Sequence, residues 1–65
     1  MEDLNQLKLM LAEKKRTNKW LAEQLGVNQT TVSKWCTNTT QPDLVTLNQI
    51  AKLLEVKVSD LIVIE

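Results

Sequence analysis

The chain has no histidine, phenylalanine or tyrosine, and only one glycine, one proline and one cysteine among its 65 residues. Each shortage removes a class of function. Without histidine, the usual general base and the commonest zinc ligand are gone. A single cysteine can form neither an intrachain disulfide nor a thiolate-rich metal centre. One glycine cannot build a phosphate-cradling loop or a dinucleotide fingerprint. No apolar run approaches the roughly 20 residues that cross a bilayer, and the acidic, polar start is unlike a signal peptide. The expectation is a soluble, cytoplasmic protein that is not an enzyme, needs no cofactor or metal, and takes no small-molecule ligand. A chain this short hides only about 60% of the surface it exposes when unfolded, which leaves little room for a deep substrate cavity. One domain, 1–65, accounts for its length.

What is present is globular in character, with 43% apolar and 25% charged residues. Two tryptophans are the only aromatics, so Leu, Val and Ile must build the core. Eight basic and eight acidic residues cancel, but their distribution is uneven. Between Lys14 and Lys34 lie five cations (Lys14, Lys15, Arg16, Lys19, Lys34) and one anion, Glu23, a local balance of +4. Residues 35 to 65 carry a balance of −2. A patch rather than the total steers a polyanion; the plainer alternative is a solvated lysine face.

Residues 4 to 14 place Leu4, Leu7, Met10 and Leu11 on one stripe, which predicts a first helix. Thr17 or Asn18 can cap a second, Asn18 to Leu25, with Leu21, Ala22 and Leu25 inward. Gly26 ends it, where a helix C-terminus wants a left-handed residue. Asn28 reads as the N-cap of a third helix, Gln29 to about Thr37, burying Val32 and Trp35. Only Gly26, Val27 and Asn28 separate these two helices, so 18–37 reads as a tight helix-turn-helix corner. Thr37 to Gln41 is a polar loop, Pro42 fixes its exit, and Asp43 caps a fourth helix, Leu44 to Leu54. Its inward stripe is Leu44, Leu47, Ile50, Ala51 and Leu54. Val56 and Val58 lead to Ser59–Ile62, either one helical turn or an extended stretch. The tail from Leu61 to Ile64 is left open between strand and turn. The whole reads as an all-α, compact bundle of about five short helices.

From Gln29 to Lys34 the outward residues are Gln29, Thr30, Thr31, Ser33 and Lys34, none acidic or bulky and apolar. Gln can pair two-pronged with adenine, Ser and Thr donate or accept, and Lys suits guanine or phosphate. Such a row on a short helix fits a major groove. A neutral solvated surface is the bland reading. Lys19 is a candidate phosphate contact, and equally an ordinary solvated lysine.

The stretch LAEQLGVNQTTVSKW, the polar loop, Pro42 and the pattern LVTLNQIAKLLEV resemble the phage-repressor and Cro-type helix-turn-helix family, from about Leu4 to Ile62. The resemblance implies a five-helix, lambda-repressor-like domain that binds operator DNA, usually as a two-fold dimer, and so a transcriptional regulator, in all expectation a repressor. It implies base reading by Gln29, Thr30 and Lys34, with Ser33 and Thr31 beside them, Thr31 serving phosphate. It implies phosphate contacts by Thr17 and Asn18 at the start of the second helix, and by Thr37, Asn38, Thr39 and Thr40 in the loop after the third.

Two departures from the family stand out. Where many members pair an Arg of the first helix with a Glu just after the aromatic residue of the third, this chain has Leu11 and Cys36. Packing then replaces an ion pair, which need not cost stability, and Cys36 reads as structural. The loop after the third helix lacks the Gly and the Lys or Arg that members often carry. Affinity should then depend only shallowly on salt, because few phosphates are neutralised. Trp35 reads as a core anchor. Trp20 either covers the edge of the first helix's packing or is exposed at a partner or DNA surface. Ile62, Val63 and Ile64 form the candidate interface for a homodimer on DNA, the alternative being a terminus folded over the first helix. The competing function is a protein-interaction module, such as an antitoxin or dimerisation adaptor, on the same fold.

Overall fold

Four helices and one 3-10 turn follow from the apolar spacing: α1 Leu7–Glu13, α2 Asn18–Leu25, α3 Gln29–Cys36, α4 Leu44–Leu54, and the turn Val58–Asp60. The computed structural model describes residues 3–63. The all-α expectation holds, with the fifth helix reduced to a single 3-10 turn. Thr17 caps α2 by accepting from the Trp20 N–H at 3.0 Å, and Asp43 caps α4 by accepting from the Thr46 N–H at 2.8 Å. The Thr46 side chain and backbone hydrogen bonds hold the Asp43 carboxyl below its ordinary pKa. Asn28 occupies the N-cap position of α3 but makes no side-chain capping bond.

The helix ends follow one pattern. At each, a residue with positive φ turns the chain, and the next N–H reaches back to a carbonyl inside the helix. The turning residues are Lys15 (φ 56°), Gly26 (70°), Asn38 (61°) and Glu55 (58°). The closing bonds are Arg16 N–H to Leu11 O, Val27 N–H to Ala22 O, Thr39 N–H to Lys34 O, and Val56 N–H to Ala51 O, at 2.9–3.0 Å. Only one of the four turning residues is glycine. A Cβ at Gly26 would meet no heavy atom within 4 Å, so backbone geometry alone selects glycine there. A side-chain-bearing residue in this conformation costs about 1 kcal/mol. Glu55→Gly should therefore raise stability by about 1 kcal/mol and the thermal midpoint by about 4–8 °C. A midpoint that stayed put or fell would show that Glu55 is not strained.

The core draws on every helix: Leu7, Met10 and Leu11 from α1, Leu21 and Ala22 from α2, Val32 and Trp35 from α3, and Ile50, Ala51 and Leu54 from α4, closed by Leu61. Trp35 is thus the core anchor its position predicts. Trp20 is half-buried and packs on the core edge, with the Arg16 guanidinium over its ring, 4.6 Å from the centroid.

Two residues assigned to inward stripes lie outside. Leu44 is 67% exposed and Leu4 is 56% exposed. Leu44 opens α4, ahead of the part that packs, so the buried stripe effectively begins at the half-buried Leu47. Leu4 is not helical at all. The Asn5 side chain accepts from the Leu7 N–H at 3.0 Å and starts α1 three residues later than the periodicity predicts. The segment before α1 instead pairs with the tail: Gln6 N–H donates to Leu61 O at 2.9 Å, and Val63 N–H to Leu4 O at 3.0 Å. Asn5 and Ile62 form an isolated antiparallel bridge. The open question of the tail is answered for 61–63, which fold back on their own chain. Ile62 and Val63 are half-buried there, and Ile64 lies outside the described residues. Among the described residues, no helix is long and apolar enough to cross a membrane.

Candidate nucleic-acid interface

The corner between α2 and α3 is set by three features of the sequence. Ala22 is a small buried residue that lets helices approach closely, Gly26 turns the chain, and Leu21, Val32 and Trp35 fill the space between. Burying Val32 and Trp35 fixes the rotation of α3. Gln29, Thr30, Ser33 and Lys34 are consequently exposed, as their assignment to base reading requires, while Thr31 is half-buried. The free row is polar and uncharged except for Lys34, in the last turn of α3.

Asn18, the first residue of α2, ties the two helices together. Its Nδ2 donates to Ser33 Oγ at 3.4 Å, and its Oδ1 accepts from Cys36 Sγ at 3.4 Å. The amide is thereby held with its nitrogen toward Ser33, in the exposed row of α3. Burial pushes the Cys36 thiol above its ordinary pKa, with a smaller opposing effect from the charge of Lys8. Cys36 therefore stays a thiol at neutral pH and packs against the core. Thr17 and Lys19 flank Asn18 and are exposed, although the Thr17 hydroxyl is occupied as the cap of α2.

The loop after α3 differs from the sequence expectation most plainly at Asn38. Thr37, Thr39 and Thr40 are exposed, but Asn38 is buried. Its Oδ1 accepts from the N–H groups of Leu4 and Asn5, both at 2.9 Å, and its Nδ2 donates to Asn5 O at 3.1 Å. The positive φ that ends α3 turns this side chain inward, so its amide is not available to a phosphate. The Thr37 hydroxyl is also engaged, lying 3.1 Å from Ser33 O, 3.2 Å from Lys34 O and 2.9 Å from Thr39 Oγ1. Because Thr37 donates to those carbonyls, the Thr39 hydroxyl is the donor of the last bond, and Thr40 is left as the outward hydroxyl of the loop.

Sequence reasoning missed two partners, Asn5 and Gln41. Asn5 Nδ2 donates to Trp35 O at 3.0 Å and to Gln41 Oε1 at 2.7 Å. Gln41 Nε2 returns a bond to Asn38 Oδ1 at 3.2 Å. A legible signal existed for Asn38: an asparagine just past a helix end is the commonest substitute for the left-handed glycine. Among the described residues, no group of three or more His, Cys, Asp or Glu is arranged to hold a metal ion.

Comparison with curated protein sequences returns no match. Among solved structures, the chain is similar to the crystal structure of a "putative DNA-binding protein from Bacteroides fragilis", at 52% identity and a TM-score of 0.91, over 92% of this chain and 97% of that one. The sequence pattern of the Cro/C1-type HTH DNA-binding domain matches residues 6–65. That match takes in the α2–α3 corner, the loop and α4 together, and the chain belongs to the family of Cro/C1-type HTH DNA-binding domains.

Proposed function

We propose that the chain is a sequence-specific regulator of transcription, acting as a repressor, that reads double-stranded DNA by placing α3 in the major groove with α2 across the backbone. The observation that carries this reading is the exposed row Gln29, Thr30, Ser33 and Lys34, set on a helix whose rotation is fixed by buried Val32 and Trp35. A row of small donors and acceptors with one cation matches the edges of base pairs. Thr17, Asn18, Lys19 and Thr31, with Thr37, Thr39 and Thr40 of the loop, are the groups nearest to hand for phosphate and sugar, which fix register rather than sequence. Asn38 leaves that set. The protein works in the cytoplasm and binds as a homodimer, with half-sites about 34 Å apart. The half-exposed sides of Ile62 and Val63 are its candidate contact.

Selection of bound duplexes from a random pool, followed by affinity measurements on the winner, tests the reading. A converged, two-fold-symmetric motif is expected. Gln29→Ala should then cost about 1–3 kcal/mol and relax preference at one base pair. Asn18→Ala should weaken all duplexes alike, because phosphate contacts carry no sequence information. Equal losses on every duplex for Gln29→Ala would remove that residue from base readout. The rival reading, an interaction module such as an antitoxin or dimerisation adaptor, needs large apolar anchors. Leu44 and Val45, each 67% exposed at the start of α4, are the residues that favour it. Failure of any duplex to be enriched by the folded protein would decide for that module.

A further inference from the structure

The chain's first residues and the loop after α3 are joined by side-chain amides rather than by apolar packing. Among the described residues, Asn5 and Asn38 are the two buried polar ones, 5% and 9% exposed. Asn38 grips the backbone there, accepting from the N–H groups of Leu4 and Asn5 and donating to the Asn5 carbonyl. Asn5 answers by holding Trp35 O, a carbonyl in the last turn of α3, and the Gln41 side chain. Gln41 closes the circuit on Asn38. Among the described residues, no buried side-chain nitrogen or oxygen is left without a partner. The loop is thus pinned at its start by Asn38 and at its exit by Gln41, immediately before Pro42. Thr39 and Thr40 stand exposed between the pins.

The segment Thr37–Gln41 carries no cation, so attraction by charge does not hold DNA there. A loop that is already ordered loses little freedom on binding, and that saving stands in for charge. We propose that Asn5 and Asn38 are positioning residues of the DNA interface: their paired amides hold the exposed Thr40 hydroxyl, beside a Thr39 already bonded to Thr37, where it meets phosphate, so the segment before α1 takes part in DNA binding without touching DNA. The inference rests on the DNA-binding reading of the α2–α3 corner.

The experiment compares wild-type protein with Asn38→Gly and Asn5→Asp on the selected operator and on a scrambled duplex, with phosphate ethylation interference as a second readout. Asn38→Gly keeps the turn, because glycine adopts positive φ freely, and deletes only the amide. Asn5→Asp keeps the acceptor for the Leu7 N–H and loses both donated bonds. Each should raise Kd by about three- to tenfold on both duplexes, leaving their ratio unchanged. Interference at the phosphate facing the loop should fade, while interference elsewhere persists. Ile50→Val, a core variant far down α4 that removes one buried methylene, should bind like wild type at temperatures where it is folded. Should Asn5→Asp fail to fold, Asn38→Gly decides alone. Wild-type affinity for Asn38→Gly, an effect confined to the operator, or an equal loss in Ile50→Val overturns the proposal. Absence of binding by wild type overturns the DNA reading as well, which separates the two failures.

Discussion

Leu61→Ala is expected to cost about 2–5 kcal/mol, the range for emptying a buried leucine site. Domains of this kind hold roughly 0.05–0.15 kcal/mol of stability per residue, so the loss removes a large part of the total. Leu61 is fully buried. Its carbonyl accepts the Gln6 N–H, so it both closes the core and fastens the N-terminal segment. Leu44 is the control, chemically identical but 67% exposed. Leu44→Ala should stay within about 0.5 kcal/mol of wild type. Urea denaturation followed by circular dichroism reads both. The midpoint should fall sharply for Leu61→Ala and hardly move for Leu44→Ala, with similar slopes. Equal shifts would mean that the tail does not close the core.

That contrast also marks where sequence patterning ends. Leu4 and Leu44 sit at the right spacing for their stripes, yet both are exposed: Leu44 opens α4, and Leu4 lies ahead of α1. Periodicity records which residues could share a face, and it is silent on where that face stops being covered. At Leu4 a local competitor decides: the Asn5 side chain takes the Leu7 N–H, and backbone pairing with the tail holds the preceding residues extended. The pairing joins residues more than fifty positions apart and leaves no short-range trace. The interior of the helices was legible for the opposite reason. Val32 and Trp35 on α3, and Ile50, Ala51 and Leu54 on α4, are flanked by neighbours on every side, so their spacing alone gives their burial.

The exposed row of α3 inherits that legibility. Once Val32 and Trp35 are inside, Gln29, Thr30, Ser33 and Lys34 can only be outside. The loop does not inherit it, since no period governs an irregular segment. The family resemblance put Asn38 among the outward loop residues, and the positive φ that turns its amide into the protein is a backbone property. The same blind spot covers Lys15 and Glu55, which end their helices in a conformation that glycine usually signals. One glycine in the sequence marks one helix end out of four.

Reversing the charge of Lys34 should have the largest effect on DNA binding. Lys34 is the only cation of the exposed row and lies in the last turn of α3, one helical turn beyond Thr30. The loop that follows carries no cation, so nothing there replaces it. Removing a good base or phosphate contact costs about 1–3 kcal/mol. Facing a glutamate to the DNA polyanion adds like-charge repulsion of several kcal/mol. Lys34→Glu should therefore lower affinity by about a hundredfold or more. Lys34→Gln, which removes the charge without reversing it, should lower affinity by about ten- to a hundredfold. The salt titration separates the contributions. If Lys34 neutralises one phosphate, the log–log slope of Lys34→Gln should be shallower by about 0.9. If Lys34 instead reads guanine, the slope should change little and preference should relax at one base pair. Part of the Lys34→Glu loss could arise in the helix itself, because a cation suits the C-terminal turn and an anion does not. That contribution is about 0.3–1 kcal/mol and appears in thermal unfolding without DNA, where it can be measured and subtracted. A Lys34→Glu protein that stays folded and binds within a few-fold of wild type would place Lys34, and with it the exposed face of α3, away from the DNA.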